Sequence, residues 1–244
     1  MARPPRTVAI GCYQERLIGF ESYGVTVVVD VIRTATTAVT AVALGRRCFP
    51  VTSLEAATEL ARRLEDPLLV GELGGHMPFG FEVTNSPALL ARRTDVARPM
   101  ILLSSSGTQL ICAARGSVYV ACLRNYRAVV RHICGVPADV AVIGAGARGE
   151  FREEDALCCA WIAAGLLDSG FEAADGLTLE TIERWAGRPA DSFVSGNSAA
   201  YLRATGQLHD LDFILSHVDD LDAVFTRTNG EIVVARDGTA TPRG

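Results

Sequence analysis

Val25-Thr-Val-Val-Val-Asp30-Val-Ile-Arg33-Thr34-Ala-Thr36-Thr37 sets the fold class of this chain. A run of β-branched residues ends in an acid, an arginine and several hydroxyls follow, and the apolar segment Ala38 to Leu44 comes next. β-Branched side chains suit the pleated strand, and an unbroken apolar run is what a strand buried on both faces needs. The stretch therefore reads as a parallel strand over 25–30 feeding a helix over 35–44, with Gly45 just past the helix end. In an open α/β sheet, ligands bind at the carboxyl edge of the strands. There Asp30 can hold a metal, Arg33 can hold an anion, and the helix N-terminus offers free N–H groups. Asp30 and Thr34 equally suit plain helix capping, so the stretch alone leaves both uses open.

Outward from it, the strand-then-helix order repeats. Val8 to Cys12 reads as a first strand, followed by a polar connection through Gln14, Glu15 and Arg16. Cys48 to Val51 is a short strand, and Ser53 caps a helix to Leu64 whose apolar face carries Leu54, Ala57, Leu60, Ala61 and Leu64. Pro67 to Leu73 is a strand. The glycine-rich loop from Gly74 ends at Ser86-Pro87, a cap followed by proline at the first helical position, and that helix runs to about Arg93. Strands over 100–104, 117–122 and 139–143 alternate with helices over 108–115, 126–134 and 154–167. The class expected is α/β, a three-layer α/β/α arrangement with a mostly parallel sheet. After Gly176 the segments 177–185, 199–205 and 211–216 look helical. Asn229-Gly230 between alternating residues marks a hairpin over 225–234. One domain over 1–244 is expected. Its βα core, 1–170, would carry the site, the helices and hairpin of 177–244 would pack on it, and the tail from Gly238 would be mobile.

Composition narrows the partners. With 49% apolar and 21% charged residues, 244 residues can bury a substantial core. A net charge of −5 argues against nucleic acid or an anionic membrane as the main partner. No apolar run approaches the roughly 20 residues that span a bilayer. Met1-Ala-Arg-Pro-Pro-Arg6 lacks the apolar region of a signal peptide, so a cytoplasmic protein is expected. Seven cysteines without CxxC spacing read as buried thiols in a reducing compartment. All 23 basic residues are arginine. Schiff-base chemistry, pyridoxal phosphate anchoring and a P-loop lysine are thereby excluded, and any bound anion must be held by arginine, hydroxyls, backbone amides or a metal.

Several phosphate and cofactor motifs fail on what they require. Gly144 to Gly149 has GxGxxG spacing between a strand and a helix, which raises the alternative of a dinucleotide-dependent oxidoreductase. That site normally belongs to a unit ending in a second strand with an acid about 20 residues on. The segment Gly170 to Gly176 reads as no strand, and a glycine turn whose amides face an anion is the more modest use. Asp30-Val-Ile-Arg-Thr34 echoes a DxDxT phosphatase motif, but Ile32 replaces the second acid and the required lysine is missing. No Cys-x5-Arg, RHG or HExxH pattern occurs, and His76, in the glycine-rich loop, suits a structural or surface role. What remains is Asp30, Glu72, Glu154 and Asp155 with Asn85, Ser86, Ser106 and Thr108. Oxygen donors of this kind favour Mg²⁺. Glu154 and Asp155 also suit a helix N-terminus.

The ordered marks Val29-Asp30-Val-Ile-Arg33, Gly71-Glu72, Gly80-Phe81, Asn85-Ser86-Pro87, Ser106-Gly107-Thr108, Gly144-Ala-Gly146, Gly149, Phe151 and Asp155 resemble the 2-phosphosulfolactate phosphatase (ComB-like) family of magnesium-dependent phosphatases. Beyond them the likeness is weaker and rests on the helical pattern, Gly206 and Asp210. It implies a Mg²⁺-dependent hydrolase of a small anionic phosphomonoester. On this reading Asp30 with Glu72 or Asp155 holds the metal, and Arg33 neutralises phosphate. Thr34, Thr36, Asn85, Ser86, Ser106, Gly107, Thr108 and Gly146 hold substrate or phosphate. Glu154 or Asp155 serves as general base, and a covalent phosphate on Asp30 is the alternative to an attacking water. Arg33-Thr-Ala-Thr-Thr replaces the family's Arg-Ala-Thr-(Thr/Ser), and Ser106-Gly-Thr replaces its Asn-Gly-Thr. Both departures lie where substrate would be held. They leave the substrate open between 2-phosphosulfolactate and a related phosphorylated acid or sugar derivative, and admit a non-catalytic anion-binding protein as a further alternative. A homodimer is compatible with the chain, which does not fix the assembly.

Overall fold

The computed structural model describes residues 6–12, 19–20, 22–147 and 149–235. The connection at Gln14 to Arg16 and the tail from Gly238 lie outside the described residues. The strands are β1 (Thr7–Gly11), β2 (Val25–Val29), β3 (Cys48–Val51), β4 (Leu68–Gly71), β5 (Met100–Leu103), β6 (Ser117–Ala121), β7 (Val140–Gly144), β8 (Glu172–Ala173), β9 (Phe225–Thr228) and β10 (Glu231–Val234). The helices are α1 (Thr34–Ala43), α2 (Leu54–Ala61), α3 (Pro87–Ala91), α4 (Gly107–Ala113), α5 (Tyr126–Cys134), α6 (Glu153–Asp168), α7 (Gly176–Trp185), α8 (Asn197–Ala204) and α9 (Leu208–Ser216). None of the described helices is long and apolar enough to cross a membrane.

All ten strands join one sheet in the order β4-β5-β3-β10-β9-β6-β2-β7-β1-β8. β2 explains why it is central. Its five residues are buried, and it pairs in parallel with β6 on one side and β7 on the other. Its side chains alternate between two cores, as a strand's period of two requires. Val25, Val27 and Val29 pack with residues of α5 to α9, whereas Val28 packs with Ala35, Ala38 and Val39 of α1 and Leu110 of α4. Each fully buried valine is worth roughly 1.5–3 kcal/mol relative to exposure. α2 packs through Ala57 on Val51, Ile101 and Leu103. Helices thus cover both faces, giving the three-layer α/β/α architecture. Ser53 and Ser86 accept from the amides of Ala56 and Leu89, so both expected helix starts carry side-chain caps. Among the described residues none of the cysteines is in a disulfide, and Cys48, Cys122, Cys158 and Cys159 are buried.

Two features depart from the sequence reading. Residues 172–173 do form a strand, β8, paired in parallel with Thr7 and Val8 at the sheet edge. It is two residues long, too short to leave an apolar run. The hairpin β9–β10 is the second. It was expected to pack against the core, but it lies within the sheet, β10 antiparallel to β3 and β9 antiparallel to β6. Phe225 and Ile232 fix it there, both buried against the α1 and α4 side. Asn229 (φ 52°) and Gly230 (φ 79°) supply the two left-handed residues that a tight type I′ turn needs.

The sheet is also curled. β2 and β5 stand five places apart in the strand order, which would be roughly 24 Å across a flat sheet. Yet Thr34 Oγ1, just past β2, donates to Ser104 Oγ, just past β5, at 3.0 Å. The two halves of the sheet close towards each other at the carboxyl ends of their strands.

Candidate active site

At the end of β2 the chain wraps around Asp30. The Asp30 carbonyl accepts from the amides of Ala35 (3.1 Å) and Thr36 (3.4 Å), and its Oδ1 accepts from the Thr34 amide at 2.9 Å. Arg33 is the N-cap residue of α1 and makes no side-chain cap, but Asp30 takes the amide of the first helical residue, which occupies one of its carboxylate oxygens. The other oxygen, Oδ2, faces Gly107 at the start of α4. A Cβ there would stand 2.1 Å from it and 2.5 Å from the Thr34 hydroxyl. Burial pushes the Asp30 carboxyl up to about 6, with the Glu72 charge adding to the rise and Thr34 and Arg33 opposing it.

Glu72 follows β4. Its Oε1 accepts from the Ser105 amide (2.8 Å), and its Oε2 from the Ser105 hydroxyl (3.0 Å) and the Gly75 amide (2.7 Å). Beside it, Thr108 donates its hydroxyl to the Ser104 carbonyl and accepts from the Ser104 amide, locking the turn that begins α4. Asn85 Nδ2 donates to Thr34 Oγ1 at 3.3 Å, whereas its buried Oδ1 has no hydrogen-bond partner among the described residues. Ser86 caps α3 and sends its own proton to Asp210.

The turn after β7 is held differently from a dinucleotide loop. Gly146 (φ 60°) donates its amide to Asp155 Oδ2 at 3.0 Å, and the Val31 amide donates to Asp155 Oδ1 at 2.8 Å. Asp155 thus ties the turns after β2 and β7 together from the first turn of α6. Burial pushes its carboxyl well up, reinforced by the charges of Asp30 and Glu154 and opposed by the two amides. Glu154 is also buried, its Oε1 without a partner among the described residues. Burial raises its carboxyl to about 7, against the Ser198 hydroxyl and Arg152, and the Asp30 charge adds to the rise.

Arg33 begins α1 and is itself buried. Its Nη1 donates to Asp210 Oδ2 (2.6 Å) and Gln207 Oε1 (2.5 Å), so its direction is set from α9 and the residue before it.

These elements enclose a cavity of about 230 Å³. Of the residues expected from sequence, Asp30, Arg33, Thr34, Glu72, Asn85, Ser106, Gly107 and Gly146 line it. Thr36, Ser86, Thr108, Glu154 and Asp155 do not. Thr36 bonds its hydroxyl to the Val31 carbonyl, and the others stand behind the lining as just described. The cavity wall also includes Ser105, Glu150, Arg152, Ser198 and Tyr201, which sequence reasoning passed over. Arg152 and Ser198 carry no motif, and they reach the cavity only because α6 and α8 close over it. Tyr201 donates its hydroxyl to the Gly75 carbonyl at 2.5 Å, joining α8 to the glycine-rich loop. Among the described residues no three acidic, histidine or cysteine side chains form a ready-made metal cage. Asp30, Glu72 and Asn85 Oδ1 offer oxygens to the cavity, and so does Glu150, which pairs with Arg152.

Residues 14–230 match the family model described as 2-phosphosulpholactate phosphatase. The chain is 33% identical to a probable 2-phosphosulfolactate phosphatase of Symbiobacterium thermophilum over 219 residues, 86% of this chain and 94% of that protein. A probable 2-phosphosulfolactate phosphatase of Deinococcus radiodurans is 33% identical over 198 residues, 78% of this chain and 82% of its own length. The 2-phosphosulfolactate phosphatase of Methanothermobacter thermautotrophicus is 29% identical over 219 residues, covering 89% of each chain.

Proposed function

The chain belongs to the 2-phosphosulfolactate phosphatase family, and from that premise we propose that it hydrolyses a small anionic phosphomonoester, 2-phosphosulfolactate or a related phosphorylated acid, with Mg²⁺. The observation that carries the reading is the convergence of Asp30, Arg33, Glu72, Asn85, Ser106 and Gly107 from distant segments on one cavity at the carboxyl ends of the strands.

The donor set fits a hard ion. Mg²⁺ at phosphate sites is bound through one or two carboxylates, with waters and substrate oxygens completing its shell, and needs no cage of protein ligands. Asp30 and Glu72 are two carboxylates lining the cavity, and Asn85, which also lines it, has an Oδ1 without a partner among the described residues. These residues would hold the ion. Bound there, it would supply charge neutralisation at a phosphate oxygen and lower the pKa of a coordinated water.

The chain's own groups do the rest. Arg33 holds the equatorial oxygens of the phosphate, where negative charge must be stabilised during transfer, because the amides of Thr34, Ala35 and Thr36 are already spent on Asp30. Arg152, which also lines the cavity and pairs with Glu150, serves a second acidic group of the substrate in this reading. Gly107 lets Asp30 and Thr34 approach the start of α4 without a side chain in the way, and Ser106 lines the cavity beside it. Glu154 stands behind the lining and reaches the cavity through Ser198, which hydrogen-bonds its carboxyl; in this reading it is the general base acting through that hydroxyl, its carboxyl raised to about 7. Asp155 fixes the turns that carry Asp30 and Gly146. Gly146 spends its amide on Asp155, which weighs against the dinucleotide use of that turn.

The test is phosphate release from a panel of phosphomonoesters with Mg²⁺, Mn²⁺ or EDTA. Chelator-sensitive turnover is expected, lowered at least about 100-fold by Asp30→Asn or Arg33→Ala. Turnover that neither substitution slows would end the assignment. Tight ligand binding without release under any metal would instead favour the non-catalytic protein.

A further inference from the structure

Arg33 enters the cavity with one of its nitrogens already spoken for. Both hydrogens of Nη1 are used, one on Asp210 Oδ2 at 2.6 Å and one on Gln207 Oε1 at 2.5 Å. Among the described residues, Nε and Nη2 have no partner, which leaves one donor edge of the guanidinium for an anion; such paired N–H groups bind oxyanions in a two-pronged fashion. Asp210 cannot turn away. Its other oxygen accepts from the Ser86 hydroxyl (2.5 Å) and the Ala88 amide (3.2 Å), and the residue is fully buried.

We propose that Asp210 is the positioning residue of the anion site. It acts through Arg33, with Gln207 as its auxiliary, by fixing which edge of the guanidinium meets the ligand. The inference rests on reading Arg33 as the phosphate-binding cation. It makes the C-terminal helices part of the site: Arg33 at the first turn, Ser86 at the start of α3 and Asp210 on α9 meet at one carboxylate, although up to 177 residues separate them in sequence. The pair is buried, so removing the acid alone leaves a cation whose orientation is no longer imposed.

A brace that merely holds the fold together would lower the melting temperature and leave ligand affinity in the folded protein unchanged. Calorimetric titration of the full chain with inorganic phosphate in the presence of Mg²⁺ separates the two. Asp210→Asn is expected to weaken phosphate binding about tenfold, and Arg33→Ala more than that. The double variant should bind no worse than Arg33→Ala alone, because Asp210 has nothing to act through once the guanidinium is gone. Wild-type affinity in folded Asp210→Asn, or losses that simply multiply in the double variant, would overturn the proposal. Wild-type affinity in Arg33→Ala would overturn the reading of Arg33 itself and this inference with it. Should Asp210→Asn not fold, Gln207→Leu decides: a weakening of about threefold that vanishes in the Arg33→Ala background supports the role, and an unchanged affinity removes it.

Discussion

Gly107 leaves no space for even a methyl group. A Cβ at that position would sit 2.1 Å from Asp30 Oδ2 and 2.5 Å from both Cβ and Oγ1 of Thr34, and none of these is the far end of a flexible chain. Gly107→Ala should therefore displace the acid by a substantial fraction of an ångström. It is expected to cost about 100-fold or more in kcat/KM, measured by steady-state phosphate release, while the far-UV circular dichroism stays native. Glu154 makes a separate prediction at the same scale. Its carboxyl holds a proton more tightly in the folded protein, to about 7, than the 4.5 of the free side chain. The folded state thus binds more protons than the unfolded one between those values. Its contribution is complete below about 4.5 and is lost as pH rises through about 7. Metal-free wild type should lose stability from pH 5 to 8. Glu154→Gln, which cannot ionise, should lose less by on the order of 3 kcal/mol, read from urea melts at each pH. Equal slopes would mean that Glu154 does not titrate in that range.

Most of the elements could be read from the chain because their signals are local. β3 and α5 have the ends expected for them, and the caps at Ser53 and Ser86 fall where a serine precedes an apolar-periodic run. β8 could not be read, since two residues carry no periodicity. The hairpin shows a different limit. Asn229-Gly230 specified the turn, but nothing local says that β9 and β10 insert between β3 and β6, because that depends on which edges the rest of the sheet leaves unpaired. Ile232 carries the consequence. It pairs with Cys48 of β3 and is 1% exposed in the core under α1. Ile232→Ala is expected to cost about 2–5 kcal/mol, more than an edge hairpin would, measured by denaturant unfolding. A loss under 1 kcal/mol would show that the hairpin is peripheral to stability.

At the scale of the whole molecule, the candidate site is assembled from segments between Asp30 and Tyr201, and from Asp210 behind them. The residues at strand exits were legible, because an acid, a glycine or a hydroxyl at such a turn is unusual enough to notice. Arg152, Ser198 and Tyr201 were not, since only the packing of α6 and α8 brings them to the cavity. A ligand that bridges so many segments should stabilise the entire chain. Inorganic phosphate with Mg²⁺ at about 100 times its dissociation constant is expected to add roughly 2.7 kcal/mol, and EDTA should remove the metal-dependent part of the resulting rise in Tm. The placement of the hairpin also has a consequence for biosynthesis. β4-β5-β3 and β6-β2-β7-β1-β8 have no shared neighbour until residues 225–234 have emerged from the ribosome. Until β9 and β10 have been made, the edges of β3 and β6 that they pair with stay open. Ribosome-stalled chains ending before Phe225 should stay sensitive to added protease, and those that expose Val234 beyond the exit tunnel should become resistant.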